Sequence, residues 1–134
     1  MASTIGCSPV AARPVIAAAD AACFRAEVSI DPAEPVFAGH YPGFPVFPGV
    51  CLVELVRLAA FACLPETAVG WRLAAVESCR FLRPVRPGGR LTIDAEWTAG
   101  GEGRCCSTVL TDERGVVARI RLRLAAGDGE GGVP

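Results

Sequence analysis

Three groups that lie close together in the sequence have the chemistry to eliminate water next to a carbonyl. His40 is the one histidine of the chain, and its ordinary pKa of about 6.5 suits proton transfer near neutral pH. Glu54 follows fourteen residues later among apolar neighbours, which should raise the pKa of its carboxyl and let it act as an acid. Between them, Gly49 precedes an apolar stretch, so its N–H would lie at the positive end of a helix and stabilise an oxyanion.

The same residues also have an ordinary structural interpretation. A lone histidine in a turn is usually exposed or hydrogen-bonded to a neighbour. Glu54, in the first turns of a helix, could interact with the helix dipole or pair with Arg57 three residues later. From residue types and spacing alone, this structural interpretation is the more common one.

The segment that carries these groups divides into a stiff loop and a helix. The prolines and glycines of "GHYPGFPVFPG" exclude regular structure and restrict the backbone of the loop. The following "VCLVELVRLAAFACL" is apolar nearly all round and ends before Pro65, which predicts a long, buried helix.

The remaining segments are typical of strands. "CFRAEVSI" alternates and places one apolar row on one face, formed by Phe24, Ala26, Val28 and Ile30. Strands are also predicted for "WRLAAVESCRFL", "LTIDAEWTA", "RCCSTVLT" and "VVARIRLRLA", separated by turns rich in glycine, proline and charge. One long helix and a run of antiparallel strands predict an α+β domain in which the sheet wraps the helix.

Composition and charge exclude several classes of protein. The 134 residues fit one domain, assigned to 14–125, with tails at 1–13 and 126–134. A net charge of −1 gives no reason to expect nucleic acid. Seven cysteines without a CxxC pair, together with a single histidine, argue against a metal site. The sequence shows no signal peptide and no apolar run long enough for a membrane span, which predicts a cytoplasmic protein.

The sequence contains two separated motifs, "GHYPGFPVFPGVCLVE" and "CRFLRPVRPGGRL". The first resembles G-H-F-P-x-x-P-x-x-P-G-V, the signature of the FabZ/FabA type of hot dog 3-hydroxyacyl-acyl-carrier-protein dehydratases, which has an acid at this same distance from the histidine. Glutamate at position 54 is the FabZ-like choice. The second motif is similar to the family's R-F-x-R-P-V-x-P-G-D-x-L strand and turn, and the likeness covers roughly residues 24–125.

Three departures from the family pattern are visible. The N-terminal helical segment that ends in "PFLLVDRV" is missing, so the chain resembles a short form. Leu58 stands where a glutamine is often found, four residues after the acid. Gly89 stands where an aspartate is usual.

The resemblance implies a hot dog fold and an active site that takes the histidine from one subunit and the acid from the other. His40 would be the base, Glu54 the acid, and the Gly49 N–H the donor to the thioester carbonyl. An apolar tunnel along the subunit interface would be lined by Phe44, Val46, Phe47, Val50, Leu58 and Phe81.

The implied partners are an acyl carrier protein and a second hot dog subunit. The carrier's phosphopantetheine would hold the substrate, and the protein would need no cofactor of its own. The second subunit would be another copy of the chain or a related subunit. An arginine cluster around one strand and turn would suit docking of an acidic carrier, although a solvated hairpin is about as common: Arg80, Arg83, Arg86 and Arg90.

The implied function is dehydration of a 3-hydroxyacyl thioester to the trans-2-enoyl thioester in fatty-acid or polyketide biosynthesis. One alternative is a hot dog thioesterase, in which a carboxylate activates water and His40 is not required. Another is a non-catalytic acyl-binding or partner subunit of a dehydratase heterodimer. The intact pair of His40 and Glu54 favours the dehydratase, because the fold alone does not distinguish these functions.

Overall fold

One helix and six strands make up the computed structural model, which describes residues 11–34, 47–65, 70–100 and 103–126. The helix, α1, spans Gly49–Ala62. The strands are β1 (Val15–Ala19), β2 (Cys23–Ser29), β3 (Arg72–Phe81), β4 (Arg90–Gly100), β5 (Gly103–Asp112) and β6 (Gly115–Ala125).

The strands pair in one antiparallel sheet with the order β1-β2-β4-β5-β6-β3. β5 and β6 are joined by a tight turn that ends at Gly115, whose φ of 125° is a backbone conformation that favours glycine. The helix lies between β2 and β3 in the sequence, and β3 joins the sheet next to β6. Among the described strands, β1 and β3 are therefore the two edges.

Alternation along the strands determines which face of the sheet covers the helix. The apolar row predicted for β2, which ends at Ile30 just after the strand, is buried. Buried residues of the other strands continue this row across the sheet: Leu91, Ile93, Ala95, Cys106, Thr108, Leu110, Ala118, Ile120, Leu122 and Leu124. The helix buries six side chains against this face: Cys51, Leu52, Leu55, Val56, Ala59 and Ala60. Each large apolar side chain buried in this way stabilises the fold by roughly 1.5–3 kcal/mol.

The predicted helix and the predicted strands are confirmed. The structure differs from the prediction in two respects, an additional strand and the extent to which the helix is buried. β1 was not predicted, because "VIAAA" does not alternate and alanine is a weak strand former. The helix was expected to be buried nearly all round, but within this chain the sheet covers only one side of it. In the described parts of the chain, no helix has the length and apolar character needed to cross a membrane.

Backbone hydrogen bonds tie the start of the helix to the turn that follows β3. The Phe47 N–H donates to the Val85 carbonyl at 2.7 Å, and both side chains are buried. The same turn is fixed to the end of β2, because the Ile30 N–H donates to the Gly89 carbonyl at 2.8 Å and the Gly88 N–H donates to the Ile30 carbonyl at 2.7 Å. The second sequence motif therefore lies against the beginning of α1.

A buried carboxylate binds the N-terminal segment to the domain. Glu34 is 3% exposed, and its two oxygens accept hydrogen bonds from the backbone N–H groups of Ala11 at 2.9 Å and Ala12 at 2.7 Å. The Glu34 N–H donates to the Asp31 carbonyl at 3.0 Å and closes a turn after β2. Ala11 and Ala12 belong to the segment 1–13 that was predicted to be a tail, yet both are bonded to the folded domain.

Glu34→Ala should lower the free energy of unfolding by about 2 kcal/mol or more, because it removes two hydrogen bonds to a charged acceptor and leaves a buried gap. Urea denaturation measures the change. Glu113→Ala, at an exposed position in the turn between β5 and β6, is the control and should change stability by no more than about 0.5 kcal/mol. Equal losses in the two variants would contradict the account of Glu34.

An ion pair with limited exposure joins the segment after β3 to the end of β5. Arg83 Nη2 lies 2.6 Å from Asp112 Oδ1, and the same nitrogen donates to the Gly115 carbonyl at 3.1 Å. Burial pushes the pKa of the Asp112 carboxyl upward, but hydrogen bonds from Arg83 and from the Arg114 N–H outweigh this effect. The pKa of Asp112 is therefore lowered from its ordinary value of 3.8.

The lowered pKa makes the contribution of Asp112 dependent on pH. Its stabilisation is fully present above the ordinary value of 3.8 and is lost as the pH falls through the lower value of the folded protein. Asp112→Asn should therefore be less stable than the wild type by roughly 1 kcal/mol or more near neutral pH. Urea denaturation should show that this difference shrinks in acid below about pH 3. A difference that stays constant would contradict the assignment.

Candidate functional site

The N-terminus of α1 presents one of the predicted catalytic groups. Pro48 occupies the N-cap position in an extended conformation, with φ −65° and ψ 151°, and forms no side-chain cap. Its carbonyl accepts hydrogen bonds from the N–H groups of Cys51 and Leu52 at 3.0 and 3.2 Å. Among the described residues, no group accepts a hydrogen bond from the Gly49 N–H, which lies at the positive end of the helix dipole.

The ring of Phe81, at the end of β3, lies against the backbone of Gly49. A Cβ atom added at Gly49 would come within 2.8 Å of Phe81 Cζ, which is closer than non-bonded carbons approach each other. Glycine at this position therefore lets the ring contact the helix terminus. The structure brings together two residues that were predicted separately, one as an oxyanion donor and one as part of the tunnel.

Glu54, the predicted acid, forms a bidentate ion pair with Arg57. Arg57 Nε donates to Glu54 Oε1 at 2.8 Å, and Arg57 Nη2 donates to Glu54 Oε2 at 2.7 Å. The side chains of Arg57 and Glu54 are 33% and 13% exposed. The guanidinium also lies over the Phe61 ring, with Cζ 5.7 Å from the ring centroid.

This pairing corrects the expected environment of Glu54. Its sequence neighbours Leu55 and Val56 are fully buried in the core, but successive side chains on a helix point in different directions. Glu54 instead faces Arg57 on the side of the helix that the sheet leaves partly open. The ion pair was the structural alternative for this residue, and the structure contains it.

The partly open side of α1 is a stripe that runs the length of the helix. We call it the open stripe; its members are exposed or half-buried, at Val50, Val53, Glu54, Arg57, Leu58 and Phe61. Apart from the ion pair, these side chains are apolar. The open stripe is therefore an apolar surface that contains one ion pair.

The candidate tunnel residues have different positions. Phe47 is 2% exposed and belongs to the core, and Leu58 packs partly against the core. Val50 and Phe81 are 69% and 49% exposed, so both present apolar surface beside the helix terminus. The others, Phe44 and Val46, lie outside the described residues, as does the predicted base, His40. The roles of all these residues stay predictions.

The four arginines proposed for docking do not form one equivalent set. Arg80 is exposed on β3, directly opposite Arg119 of β6. Arg83 is engaged with Asp112, as described above. Arg90 lies 3.9 Å from a Glu27 oxygen. Arg86 and Arg90 line a shallow groove of about 390 Å³ together with the end of β5 and the turn that follows it.

A larger cavity, of about 740 Å³, contains none of the predicted site residues. It crosses the sheet on the face opposite the helix, and its lining includes Arg25, Asp94, Glu96, Ser107, Arg119 and Arg121. Arg25 is already paired with Asp94, and Arg121 donates to Ser107 at 2.6 Å. Because this hollow contains none of the residues predicted for the site, we place the candidate site at the helix terminus, where the Gly49 N–H and Glu54 lie on the same helix.

Two residues near the site were not predicted to have a functional role. Arg57 was considered only as a structural partner of Glu54, although its spacing of three residues on a helix was the signal that could have indicated its importance. Glu34 was not considered, because the amides it binds lie 22 and 23 residues earlier in the sequence. No local pattern connects groups at such a separation.

Several sequence relatives of the chain are dehydratases. The family model described as ApeI-like, ApeI dehydratase, matches residues 17–119. A 3-hydroxyacyl-[acyl-carrier-protein] dehydratase FabZ from Bacillus cereus is 37% identical over 103 residues, a match that covers 71% of this chain and 69% of that protein. Residues 17–119, which the family model matches, include the whole of α1 and most of the sheet. Both the open stripe and the core that supports it therefore lie in the matched region.

Solved structures confirm the fold. A chain of the dehydratase heterocomplex ApeI:P from Xenorhabdus doucetiae has a TM-score of 0.66 at 22% identity, covering 84% of this chain and 98% of that chain. The PaaI protein of Escherichia coli has a TM-score of 0.65 at 20% identity, covering 84% and 82% of the two chains. The helix wrapped by an antiparallel sheet is therefore the hot dog fold that the sequence motifs predicted, and together with the family match it shows that this chain belongs to the ApeI-like dehydratases.

Proposed function

We propose that the protein removes water from a 3-hydroxyacyl thioester carried on acyl carrier protein and releases the trans-2-enoyl thioester. The observation that carries the proposal is the placement of Gly49 and Glu54 on one helix, with a backbone donor at its positive end and a carboxyl in the next turn. At a rise of about 1.5 Å per residue, the two residues are separated by roughly 7.5 Å along the helix axis. We propose that an acyl thioester bound along this part of the helix contacts both groups.

The proposed reaction is a balanced transfer of two protons. His40 takes the proton from the carbon next to the thioester carbonyl, and the C–H electron pair forms the enolate. The Gly49 N–H stabilises the negative charge on the thioester oxygen. Glu54 donates its proton to the 3-hydroxyl group, which leaves as water while the double bond forms. No metal or redox group takes part, and the acyl chain stays attached to the carrier's phosphopantetheine.

The surface around the site supports assembly with a second hot dog subunit. β3 is an edge strand, and four large apolar residues near it are exposed: Val50, Val76, Phe81 and Leu82. Exposed edges of this kind pair with other strands unless they are covered. We propose that a second copy, or a related subunit as in the ApeI:P heterocomplex that this fold resembles, covers β3 and the open stripe and supplies the histidine to the acid of this chain.

Arg80 is the docking candidate that the structure supports best. It lies opposite Arg119 across β3 and β6, and within the described ranges neither arginine is paired with a carboxylate. Two like charges in this position repel each other, so an anionic group that binds between them relieves the repulsion. We propose that an acidic carrier protein docks here. Arg83 is less suitable, because its charge is already engaged by Asp112.

Glu54→Gln and His40→Ala should each reduce dehydration by at least about 100-fold, since each removes one proton-transfer group. Mass spectrometry of a 3-hydroxyacyl carrier protein, incubated with the protein, reports the loss of one water. Circular dichroism and size-exclusion chromatography should show that both variants keep the fold and assembly of the wild type.

The other functions predict different outcomes of the same experiment. Release of free acid by the wild type, unaffected by His40→Ala, would indicate the thioesterase. No change of substrate with the wild type alone, together with turnover on addition of a related hot dog subunit, would indicate a heterodimer. Full activity of Glu54→Gln would contradict the role of the acid.

Arg80→Glu should raise the KM for a carrier-bound substrate about 10-fold or more, because it replaces attraction to an acidic partner by repulsion. The kcat for the same acyl group on free pantetheine should not change, since Arg80 does not touch the reacting atoms. Arg72→Glu is the matched control, because Arg72 is an exposed residue at the other end of the same strand. An equal rise in KM for both variants would show that charge acts generally and not at Arg80.

A further inference from the structure

The large cavity on the sheet face opposite the helix has no role in the proposed reaction. Its volume of about 740 Å³ is within the range of cavities that hold small molecules. We propose that it binds a small organic anion, whose carboxylate or phosphate group is held by Arg119 and Arg121 of β6 and whose body lies across β5 toward β4. This inference goes beyond the proposed function and does not depend on it.

The walls of the cavity are two neighbouring rows of outward-pointing side chains that cross β6, β5 and β4. The first row consists of Arg121, Ser107 and Glu96, and the second of Arg119, Val109 and Asp94. The main chain between the rows forms the floor, because the residues there, such as Thr108, point to the inner face. Adjacent strands lie about 4.8 Å apart, so each row extends roughly 10 Å from β6 to β4. We call this cavity the outer trough; its length suits an elongated small molecule.

The β6 end of the outer trough carries positive charge. Within the described ranges, neither Arg119 nor Arg121 forms an ion pair with a carboxylate. Arg119 lies directly opposite Arg80 of β3, so three guanidinium groups are close together. Like charges in neighbouring strands repel each other, and an anion bound among them relieves the repulsion. Guanidinium groups bind carboxylates and phosphates through paired, charge-assisted hydrogen bonds.

Hydroxyl groups complete this end of the outer trough. Arg121 is half-buried, and its Nη1 donates to Ser107 Oγ at 2.6 Å, which holds the guanidinium in place. Because the Ser107 hydroxyl accepts this bond, its own proton can be donated to a ligand. Ser78 of β3 lies opposite Arg121 and also lines the cavity. An anion at this end therefore meets two guanidinium groups and two hydroxyls.

The opposite end, at β4 and β2, carries negative charge. Glu96 and Asp20 line it, together with Asp94, whose charge is met by Arg25 at 2.7 Å. The pKa of the Cys23 thiol at this end is raised from its ordinary value of 9.0, first by the charge of Asp20 and to a smaller extent by Glu96 and Asp94. A second anionic group would be repelled here. The ligand should therefore carry its negative charge at one end only.

The test measures binding of octanoate and of octyl phosphate to the whole protein by isothermal titration calorimetry, without carrier protein. Arg121→Gln and Arg119→Gln should each raise the dissociation constant about 10-fold or more, because each removes a charged hydrogen-bond donor. Arg123→Gln is the matched control. It makes the same change at the next outward position of β6, outside the trough, where Glu77 holds the guanidinium at 2.8 Å, and it should leave binding unchanged.

Two further measurements locate the ligand and its direction. In nuclear magnetic resonance spectra, the backbone amide signals of Ser107 and Val109 should shift when either probe is added. Octanedioate, which has a second carboxylate at its other end, should bind more weakly than octanoate. Circular dichroism checks the fold of each variant, and Ser107→Ala, which frees the Arg121 guanidinium, should also weaken binding and serves if Arg121→Gln does not fold.

Several results would overturn the proposal. If neither probe binds the wild type, the outer trough is not an anion site. If the probes bind Arg121→Gln and Arg119→Gln as tightly as the wild type, they bind elsewhere, for example on the apolar surface beside α1. Equal weakening in all three arginine variants would show general attraction of charge. Because the measurement involves neither turnover nor the carrier, none of these results bears on the proposed dehydration.

Discussion

The packing of one side of α1 against the inner face of the sheet is the constraint on which the candidate site depends. Leu52, Leu55 and Val56 lie in the core, and this burial fixes the rotation of the helix about its own axis. Because α-helical side chains repeat every 3.6 residues, the same rotation places Glu54 and Arg57 on the opposite side. A change in the core stripe would therefore turn the acid away from the surface where a substrate and a second subunit can reach it.

The ends of the helix and of the strands are connected around this constraint. The bond between Phe47 and Val85 holds the N-terminus of α1 beside the turn after β3, and the Phe81 ring contacts Gly49 across the same gap. The two sequence motifs that resemble the dehydratase family are thus parts of one structural unit. One motif contains the proposed acid and the proposed oxyanion donor, and the other contains the Phe81 ring that lies against Gly49.

Much of this arrangement could be predicted from the sequence, because it follows from local patterns. Alternation gave the inner row of β2, and the long apolar run between the proline-rich loop and Pro65 gave the helix. The hot dog fold was predicted from the two motifs. The strand β1 was missed because its alanines carry no alternation, and it forms by pairing with β2.

What the sequence could not show depends on the direction of side chains and on contacts between distant segments. The expectation for Glu54 rested on its apolar neighbours in sequence, but those neighbours point into the core while the acid points to Arg57. The bonds from Ala11 and Ala12 to Glu34 likewise join segments with no common pattern. Of the candidate site, the positions of Gly49 and Glu54 on the helix could be predicted, and the ion pair could be recognised only as an alternative.

In the proposed site, the acid on the open stripe works with the histidine of a second copy. The most direct measurement mixes His40→Ala and Glu54→Gln chains, lets the subunits exchange, and compares the activity with that of each variant alone. If each site is shared, half of the dimers carry one intact site of two, and about a quarter of the wild-type activity should return. If the mixture is as inactive as the separate variants although exchange has occurred, a site shared between two copies of this chain is contradicted.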